Sequence, residues 1–274
     1  MLLAEIHGKS HRDLEDSEDL LTSAVFGHLR LVHPPTFWVE LLHRARTAEN
    51  PSRTLLKVLT SSGIGASLFT KVHVHFWPFF SKYGEPDLVV HLSGPECPSV
   101  TILIEVKLHA TKSGTGEFDQ LARYLALLTD PTCSLEWPSD IDKRFLIYLT
   151  KTFARDEIQA SIEASKSSTA SSRMFGLDWK ELAEVADEQR RQDQLLGEVA
   201  DFLKRRGFES FSGFRKITNV PRYSGLFYRR RYFNRLQIEN LAHEGRFFGT
   251  HTRRTNDVRD ESRSEHAVRL HPAV

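Results

Sequence analysis

The chain has 274 residues and a formal net charge of +1, with 40% hydrophobic and 27% charged residues. This balance is ordinary for a globular protein and excludes a chain that is polybasic throughout. No apolar run approaches the roughly 20 residues that a membrane-spanning helix needs, so no membrane association is expected. Two cysteines, Cys97 and Cys133, without a CxxC motif or a secretory signal favour a reducing, cytoplasmic location.

The N-terminal segment predicts a helix over residues 10–32, with Ser10 and Asp13 as a capping signal. Apolar residues at helical spacing form its buried stripe, namely Leu14, Leu21, Val25 and Leu29. Glu18 lies on the same stripe. It is either a glutamate at the edge of the core or a carboxylate directed at a site beneath the helix, and periodicity alone does not separate the two.

Pro34 and Pro35 are expected to end this first helix, and a second helix is predicted over residues 36–46. Its inner face is expected to carry Phe37, Trp38, Leu41, Leu42 and Ala45.

Residues 71–77 alternate between apolar and polar and predict a strand. Its polar face includes His73 and His75, which are spaced to meet one metal ion. We interpret them instead as polar residues on the outer face of an edge strand. A third nitrogen or sulfur ligand at suitable spacing is lacking, so the sequence does not support a zinc site.

Two further strands are predicted at residues 88–92 and 100–108, separated by a Gly/Pro/Ser turn. Asp87 enters the first of them, and Glu105 and Lys107 lie near the end of the second. Side chains two apart on a strand share a face, so Glu105 and Lys107 project together. A carboxylate in such an apolar strand requires a cation, a metal or an open cleft nearby.

A helix is predicted over residues 117–128, and a buried central strand over residues 145–150. Gln120 and Tyr124 stand four apart on this helix, one above the other. Its apolar face is expected to consist of Phe118, Leu121, Ala122 and Leu125.

The C-terminal part divides into four stretches. Residues 160–172 are Ser-rich and predict a mobile loop or linker, whereas residues 179–206 predict two helices broken near 192–195, with Gly207 at the end. Residues 204–235 are basic, with interleaved aromatics that are candidates for base stacking: Phe211, Phe214, Tyr223, Phe227 and Tyr228. Residues 245–274 have little apolar content and predict a disordered tail.

The central motifs are Pro86-Asp87, Glu105-Val106-Lys107 and Gln120-x-x-x-Tyr124. In this order they resemble the PD-(D/E)xK nuclease superfamily, and the last motif resembles the QxxxY element of its RecB-like and Cas4-like members. The resemblance covers residues 14–150. It implies an α/β fold of the restriction-endonuclease type, with a mixed central sheet flanked by helices. The expected organisation is a nuclease core over residues 1–160, a helical and basic region over residues 173–240 that packs on or completes the core, and the tail.

The resemblance also implies a site for Mg²⁺ or Mn²⁺, since hard cations prefer oxygen ligands. Asp87 and Glu105 would provide carboxylate oxygens and Val106 its backbone carbonyl. Lys107 would orient the attacking water or help to deprotonate it, and would set positive charge against the phosphate.

The remaining implied positions are less closely fixed by the motifs. Gln120 and Tyr124 would contact the nucleic-acid backbone or order groups around the metal. Glu18 matches the first-helix glutamate and would bind the metal through water or complete a second site. The RecB-like pattern often has a glycine where this chain has Glu15, so Glu15 and Asp19 remain rival candidates.

The function that follows is divalent-metal-dependent hydrolysis of phosphodiester bonds, with DNA as the favoured substrate, in anti-phage defence, restriction or repair. The alternative is a catalytically silent subunit of the same fold that binds nucleic acid or another protein. A homodimer and a protein partner in a multi-component system both stay open. The residues do not distinguish DNA from RNA, or endonucleolytic from exonucleolytic cleavage.

Overall fold

The computed structural model describes residues 17–108, 113–114, 118–135, 137 and 139–208. Its strands are β1 (Lys71–Phe76), β2 (Leu88–Gly94), β3 (Cys97–Val106), β4 (Arg144–Thr150) and β5 (Met174–Asp178). Its helices are α1 (Glu18–Leu29), α2 (Pro34–Arg44), α3 (Leu55–Ser61), α4 (Gln120–Thr129), α5 (Arg155–Ser165), α6 (Ala170–Arg173), α7 (Trp179–Gln189) and α8 (Gln194–Arg205). Short 3-10 turns occur at Ala66–Leu68 and Ile141–Lys143.

The five strands form one mixed sheet in the order β1-β2-β3-β4-β5. The first three strands are antiparallel neighbours, whereas β3, β4 and β5 run parallel. Each parallel connection needs a crossover, and α4 lies in the first and α5 and α6 in the second. The chain is therefore an α/β protein with a mixed sheet flanked by helices, as its sequence predicts.

Each face of the sheet carries its own buried core. One core joins the sheet to α1, α2, α3, α7 and α8, and its largest members include Phe26, Trp38, Phe175 and Trp179. The other core joins the sheet to α4 and α5 and includes Leu103, Leu125 and Tyr148. Both faces of the inner strands are covered, which explains the nearly continuous apolar run of β4.

The predicted elements that carry the central motifs are present. Strands β1 to β4 coincide closely with the predicted strands, and α7 and α8 are the predicted helix pair. The stripe residues Leu21, Val25 and Leu29 are buried, as are the five inner-face residues predicted for α2. Gly207 has a φ of 82°, the left-handed conformation typical of a residue just beyond a helix end.

Four predictions about elements are corrected. The helix that carries Leu21, Val25 and Leu29 begins at Glu18 after an extended N-cap, Ser17, so it does not run unbroken from residue 10. Pro34 and Pro35 open α2, where their missing N–H groups cost nothing, and do not end α1. Phe118 precedes α4, whose N-cap is Asp119, and is 80% exposed; it is not part of the apolar face.

The fourth correction concerns the Ser-rich stretch, which is largely helical. Helices α5 and α6 cover most of residues 160–172, with Ser161 and Ala170 buried. Strand β5 (Met174–Asp178) then joins the same sheet beside β4.

Several predictions lie outside the described residues. These are the capping signal of Ser10 and Asp13, the stripe residue Leu14, the candidate Glu15, most of the basic segment with its five stacking candidates, and the tail at 245–274. Within the described ranges, no helix has both the length and the apolar character needed to cross a membrane.

Candidate functional site

Asp87 and Glu105 face each other at one end of the sheet. Leu88 of β2 pairs with Ile104 of β3, so the preceding Asp87 stands opposite the following Glu105. Directly opposed residues on antiparallel strands have Cβ atoms about 4.5–5.5 Å apart. Asp87 is 8% exposed and Glu105 1%, so two carboxyl groups are buried side by side. Burial and the charge of Glu105 together raise the pKa of Asp87 well above its ordinary value.

Among the carboxylate oxygens of Asp87 and Glu105, one accepts a backbone hydrogen bond and another has no partner among the described residues. Asp87 Oδ2 accepts a hydrogen bond of 2.8 Å from the backbone N–H of Val106. Glu105 Oε2 is buried and has no hydrogen-bond partner among the described residues. An unpaired buried carboxylate oxygen is costly, and burial accordingly raises the pKa of Glu105. A proton or a cation would satisfy it.

Lys107 brings a positive charge to the carboxylates of Glu105 and Glu18. Its Nζ lies 2.8 Å from Glu105 Oε1 and 3.0 Å from Glu18 Oε1, and it donates to the Val106 carbonyl at 2.9 Å. Burial by itself lowers the pKa of Lys107, but the neighbouring carboxylates more than offset this and the net pKa is raised. The lysine is therefore an ammonium ion at neutral pH.

Glu18 reaches the site because it is the first residue of α1. Ser17 caps that helix by accepting a hydrogen bond from Leu20 N at 3.3 Å, which fixes where the helix begins. Glu18 Oε2 accepts a hydrogen bond of 2.8 Å from Leu108 N, while Oε1 pairs with Lys107. The functional interpretation of Glu18 is thus supported by two contacts, whereas Asp19, the next residue of α1, remains an untested alternative.

Gln120 and Tyr124 line the site from α4. Gln120 Nε2 donates to the hydroxyl oxygen of Tyr124 at 3.0 Å, across one helical turn. Tyr124 is 1% exposed, and burial together with the charge of Glu105 raises its pKa. The hydroxyl therefore stays protonated and can donate a hydrogen bond.

Tyr148 is a wall of the site that the sequence analysis missed. It is the register partner of Glu105 on the adjacent parallel strand β4 and is buried. Its hydroxyl donates to Glu157 Oε2 at 2.9 Å; burial and this contact raise its pKa. A tyrosine within an otherwise apolar central strand requires a hydrogen-bond partner for its hydroxyl. This residue type at position 148 was the feature of the sequence that could have pointed to a polar neighbour.

The donor set fits a hard divalent cation in part. Asp87, Glu105 and the Val106 carbonyl offer three oxygens at one place, and Mg²⁺ retains several waters, so few protein ligands suffice. The unpartnered Glu105 Oε2 is the observation that favours a cation there. No group of three or more His, Cys, Asp or Glu side chains in the described ranges is arranged to hold a metal. The ammonium of Lys107 lies in contact with both Glu18 and Glu105.

The two histidines of β1 lie away from these carboxylates. Strand β1 is the edge of the sheet, and the rings of His73 and His75 lie 5.8 and 6.4 Å from the ring of Trp137. His91, opposite His73 on β2, stacks on the same tryptophan at 5.4 Å. The three rings pack around an indole.

Comparison with known proteins adds no relative: no family model matches the chain, and neither a curated protein nor a solved structure does. The chemistry of the site is therefore argued from its own geometry.

Proposed function

We infer that the chain is a divalent-metal-dependent nuclease of the PD-(D/E)xK type that hydrolyses phosphodiester bonds, with DNA as the favoured substrate. The observation that carries this inference is the buried, unpartnered oxygen of Glu105 next to a second buried carboxyl group, Asp87. Two acidic groups buried together, with one ammonium that they share with Glu18, destabilise the fold, and proteins tolerate such strain at functional sites.

Mg²⁺ or Mn²⁺ would be held by Asp87, Glu105 and the Val106 carbonyl. When bound, such an ion makes water more acidic and shields charge on the phosphoryl oxygens. The chain contributes the position of these ligands. Asp87 is fixed by its bond to Val106 N, and Glu105 by its place in the central strand β3.

Lys107 is proposed to orient the attacking water and to neutralise charge on the phosphate. Burial lowers the pKa of Lys107, but the neighbouring carboxylates raise it by more, so in the metal-free chain Lys107 carries a proton that it can donate in a hydrogen bond. Both roles that the sequence leaves open for it, orienting the water and helping to deprotonate it, stay part of the proposal. Lys107 is also the group that Glu18 positions, through the contact of 3.0 Å.

Gln120 and Tyr124 are proposed to position the sugar-phosphate backbone. Both present hydrogen-bond donors, and phosphate oxygens are acceptors. The hydroxyl of Tyr124 stays protonated, as a donor to phosphate must.

The biological setting is proposed to be anti-phage defence, restriction or repair, in a reducing cytoplasm. Cys97 and Cys133, the two cysteines of the chain, are both unpaired, which is consistent with such a compartment. A homodimer or a protein partner would supply a second site where both strands of a duplex are cut.

A cleavage assay tests the proposal. The purified full-length protein is incubated with supercoiled plasmid, linear duplex DNA, single-stranded DNA and RNA, each with Mg²⁺, with Mn²⁺ and with EDTA. Glu105→Gln removes the charge of the central carboxylate, and Lys180→Ala, which removes an exposed lysine of α7, is the matched control. We expect cleavage by the wild type and the control with metal, and none by Glu105→Gln.

Two outcomes contradict the proposal in different ways. A wild type that is inert on every substrate with both metals excludes a stand-alone nuclease, and nucleic-acid binding by that inert protein would favour the silent subunit. Equal cleavage by the wild type and Glu105→Gln would identify a contaminating nuclease.

A further inference from the structure

Two phenylalanines project into solvent on turns next to the site. Phe118 is 80% exposed and Phe79 is 72% exposed, the two highest values among the large apolar side chains that the structure describes. Scattered exposed apolar residues are common and need no explanation. These two differ because the backbone beneath each of them is firmly held.

Phe79 lies on a turn that is tied down on both sides. The backbone N–H of Trp77 donates to the Asp87 carbonyl at 2.9 Å, and Trp77 itself is buried with a φ of 49°. Phe80 and Gly84 exchange two backbone hydrogen bonds of 2.8 Å. Since a bulky residue rarely adopts a positive φ, the surrounding structure must impose this conformation on Trp77. The backbone of the turn that carries Phe79 is therefore held in one conformation by these hydrogen bonds.

Phe118 is held in a comparable way by the residue that follows it. Asp119 is 1% exposed and caps α4 by accepting from Ala122 N at 2.9 Å. Its second oxygen accepts from the Ser161 hydroxyl of α5 at 3.1 Å. Phe118 thus precedes an anchored cap, and its ring projects outward just before Gln120.

The two turns border the same pair of site residues. Phe118 is two positions from Gln120, which donates to Tyr124. Gly84 closes the turn of Phe79 and adopts a φ of 105°, and a Cβ placed on it would lie 3.9 Å from the hydroxyl of Tyr124. The turn that carries Phe79 therefore borders Tyr124, and the turn that carries Phe118 leads into Gln120.

An exposed basic residue follows each phenylalanine within five positions of the chain. Lys82 is exposed on the turn of Phe79, and Arg123 is exposed on α4, one turn beyond Gln120. Exposed aromatic faces beside basic groups are the combination that binds single-stranded nucleic acid, because bases stack on the rings while cations follow the phosphates. In a duplex the bases already stack on one another, and freeing one requires unpairing.

We propose that Phe79 and Phe118 are stacking platforms for unpaired bases, so that the substrate at this site is single-stranded nucleic acid. The inference rests on the proposed function for its chemistry and adds the substrate class. A strand stacked on the two rings would then pass Gln120, which is half-buried.

Equilibrium binding tests this without cleavage. All variants are made in the full-length Glu105→Gln protein, and binding of a labelled oligothymidine and of a blunt duplex is followed by fluorescence anisotropy. Phe79→Leu and Phe118→Leu keep an apolar side chain but lose the aromatic face, whereas Phe118→Trp keeps an aromatic face. Leu31→Ala truncates another exposed apolar residue, 67% exposed, beyond the opposite end of α1 from Glu18, and serves as the control.

We expect the oligothymidine to bind more tightly than the duplex. Each leucine variant should weaken oligothymidine binding by about tenfold, and the double variant by about a hundredfold. Phe118→Trp and Leu31→Ala should bind as the parent does, and Asp87→Asn is the alternative parent if Glu105→Gln does not fold.

The inference is overturned if the leucine variants bind oligothymidine as tightly as their parent, or if the duplex is the tighter ligand. A change of oligomeric state in the double variant, with nucleic-acid binding intact, would instead assign the rings to a protein interface. The two proposals can fail separately. If the wild type does not cleave but its binding of oligothymidine depends on Phe79 and Phe118, only the proposed hydrolysis is contradicted. If the wild type cleaves and the leucine variants cleave equally well, only the proposed stacking is contradicted.

Discussion

The ammonium nitrogen of Lys107 lies 2.8 Å from Glu105 Oε1, with both side chains on the same face of the sheet. Glu105 is opposite Asp87, so one cation is shared by a pair of buried carboxyl groups and by Glu18. In the described part of the chain this cluster contains more acid than base, and Glu105 Oε2 has no hydrogen-bond partner there. The excess of buried negative charge leads to the predictions that follow.

Neutralising Asp87 should stabilise the metal-free protein. Asn at this position keeps an oxygen that can accept from Val106 N and removes one of two neighbouring charges. We expect Asp87→Asn to raise the unfolding free energy by about 1–2 kcal/mol at neutral pH in EDTA. Thermal unfolding measures this, and an Asn variant less stable than wild type would contradict the electrostatic account.

The same substitution has a defined pH dependence. Burial and the charge of Glu105 raise the folded-state pKa of Asp87 above its ordinary value, so the charge of Asp87 destabilises the fold increasingly as pH rises from near 4 through the folded pKa. The difference in Tm between Asp87→Asn and wild type should therefore be largest at neutral and higher pH, and should close as the pH falls toward 4. A difference that widens on acidification would reverse the sign and contradict the assignment.

Removing the positive charge of Lys107 should destabilise the protein. Lys107→Met leaves Glu105, Asp87 and Glu18 without their shared ammonium, and we expect a loss of about 2–4 kcal/mol in unfolding free energy. This loss of unfolding free energy is smaller than the loss expected on breaking a fully buried ion pair, because the Lys107 side chain is 13% exposed. Adding Asp87→Asn should restore part of the loss, and denaturant unfolding of the single and double variants checks this. Purely additive effects would show that the two residues do not interact.

Matched amide variants can show whether Glu18 or Asp19 is the helix carboxylate that acts in the site. Glu18→Gln removes one of the two negative partners of Lys107, the other being Glu105, and weakens the acceptor for Leu108 N. We expect it to lower the cleavage rate by about 10- to 100-fold, with a change below about 1 kcal/mol in stability. Asp19→Asn should cleave as the wild type does. Loss of activity in Asp19→Asn alone would move the role to that residue.

Gln120 and Tyr124 should behave as one unit. Tyr124→Phe keeps the ring but removes the hydroxyl that Gln120 Nε2 contacts at 3.0 Å, and Gln120→Ala removes the other partner. We expect each to lower kcat/KM by about tenfold, and the double variant to be little worse than either single variant. A double variant that shows the product of the two single effects would mean that they act independently.

The fold class and the strands next to Asp87 and Glu105 were predicted correctly from the sequence, whereas the function of these residues stays a prediction. Strand alternation is local, so Glu105 and Lys107 could be expected on one face from residues 84–108 alone. The role of Glu18 could not be decided in that way. It depends on where α1 begins, and the local capping signal at Ser10 competed with the N-cap that the structure uses, Ser17.

Other features depended on packing that no local pattern reveals. The Ser-rich stretch has weak helix propensity, but burial of Ser161 and Ala170 against the rest of the chain makes it helical. Strand β5 is short and contains Gly176, where a Cβ would lie 2.5 Å from the Phe153 ring. That close approach is evident only in three dimensions, so neither the strand nor the need for glycine was predicted.

Binding of Mn²⁺ to the metal-free protein tests the central claim most directly, because Asp87 and Glu105 are proposed to hold the ion. Isothermal titration calorimetry on wild type, Asp87→Asn, Glu105→Gln and Lys180→Ala separates the site from nonspecific binding. We predict saturable binding by wild type and Lys180→Ala and its loss in both carboxylate variants. Equal binding by all four proteins, or none by the wild type, would contradict the claim.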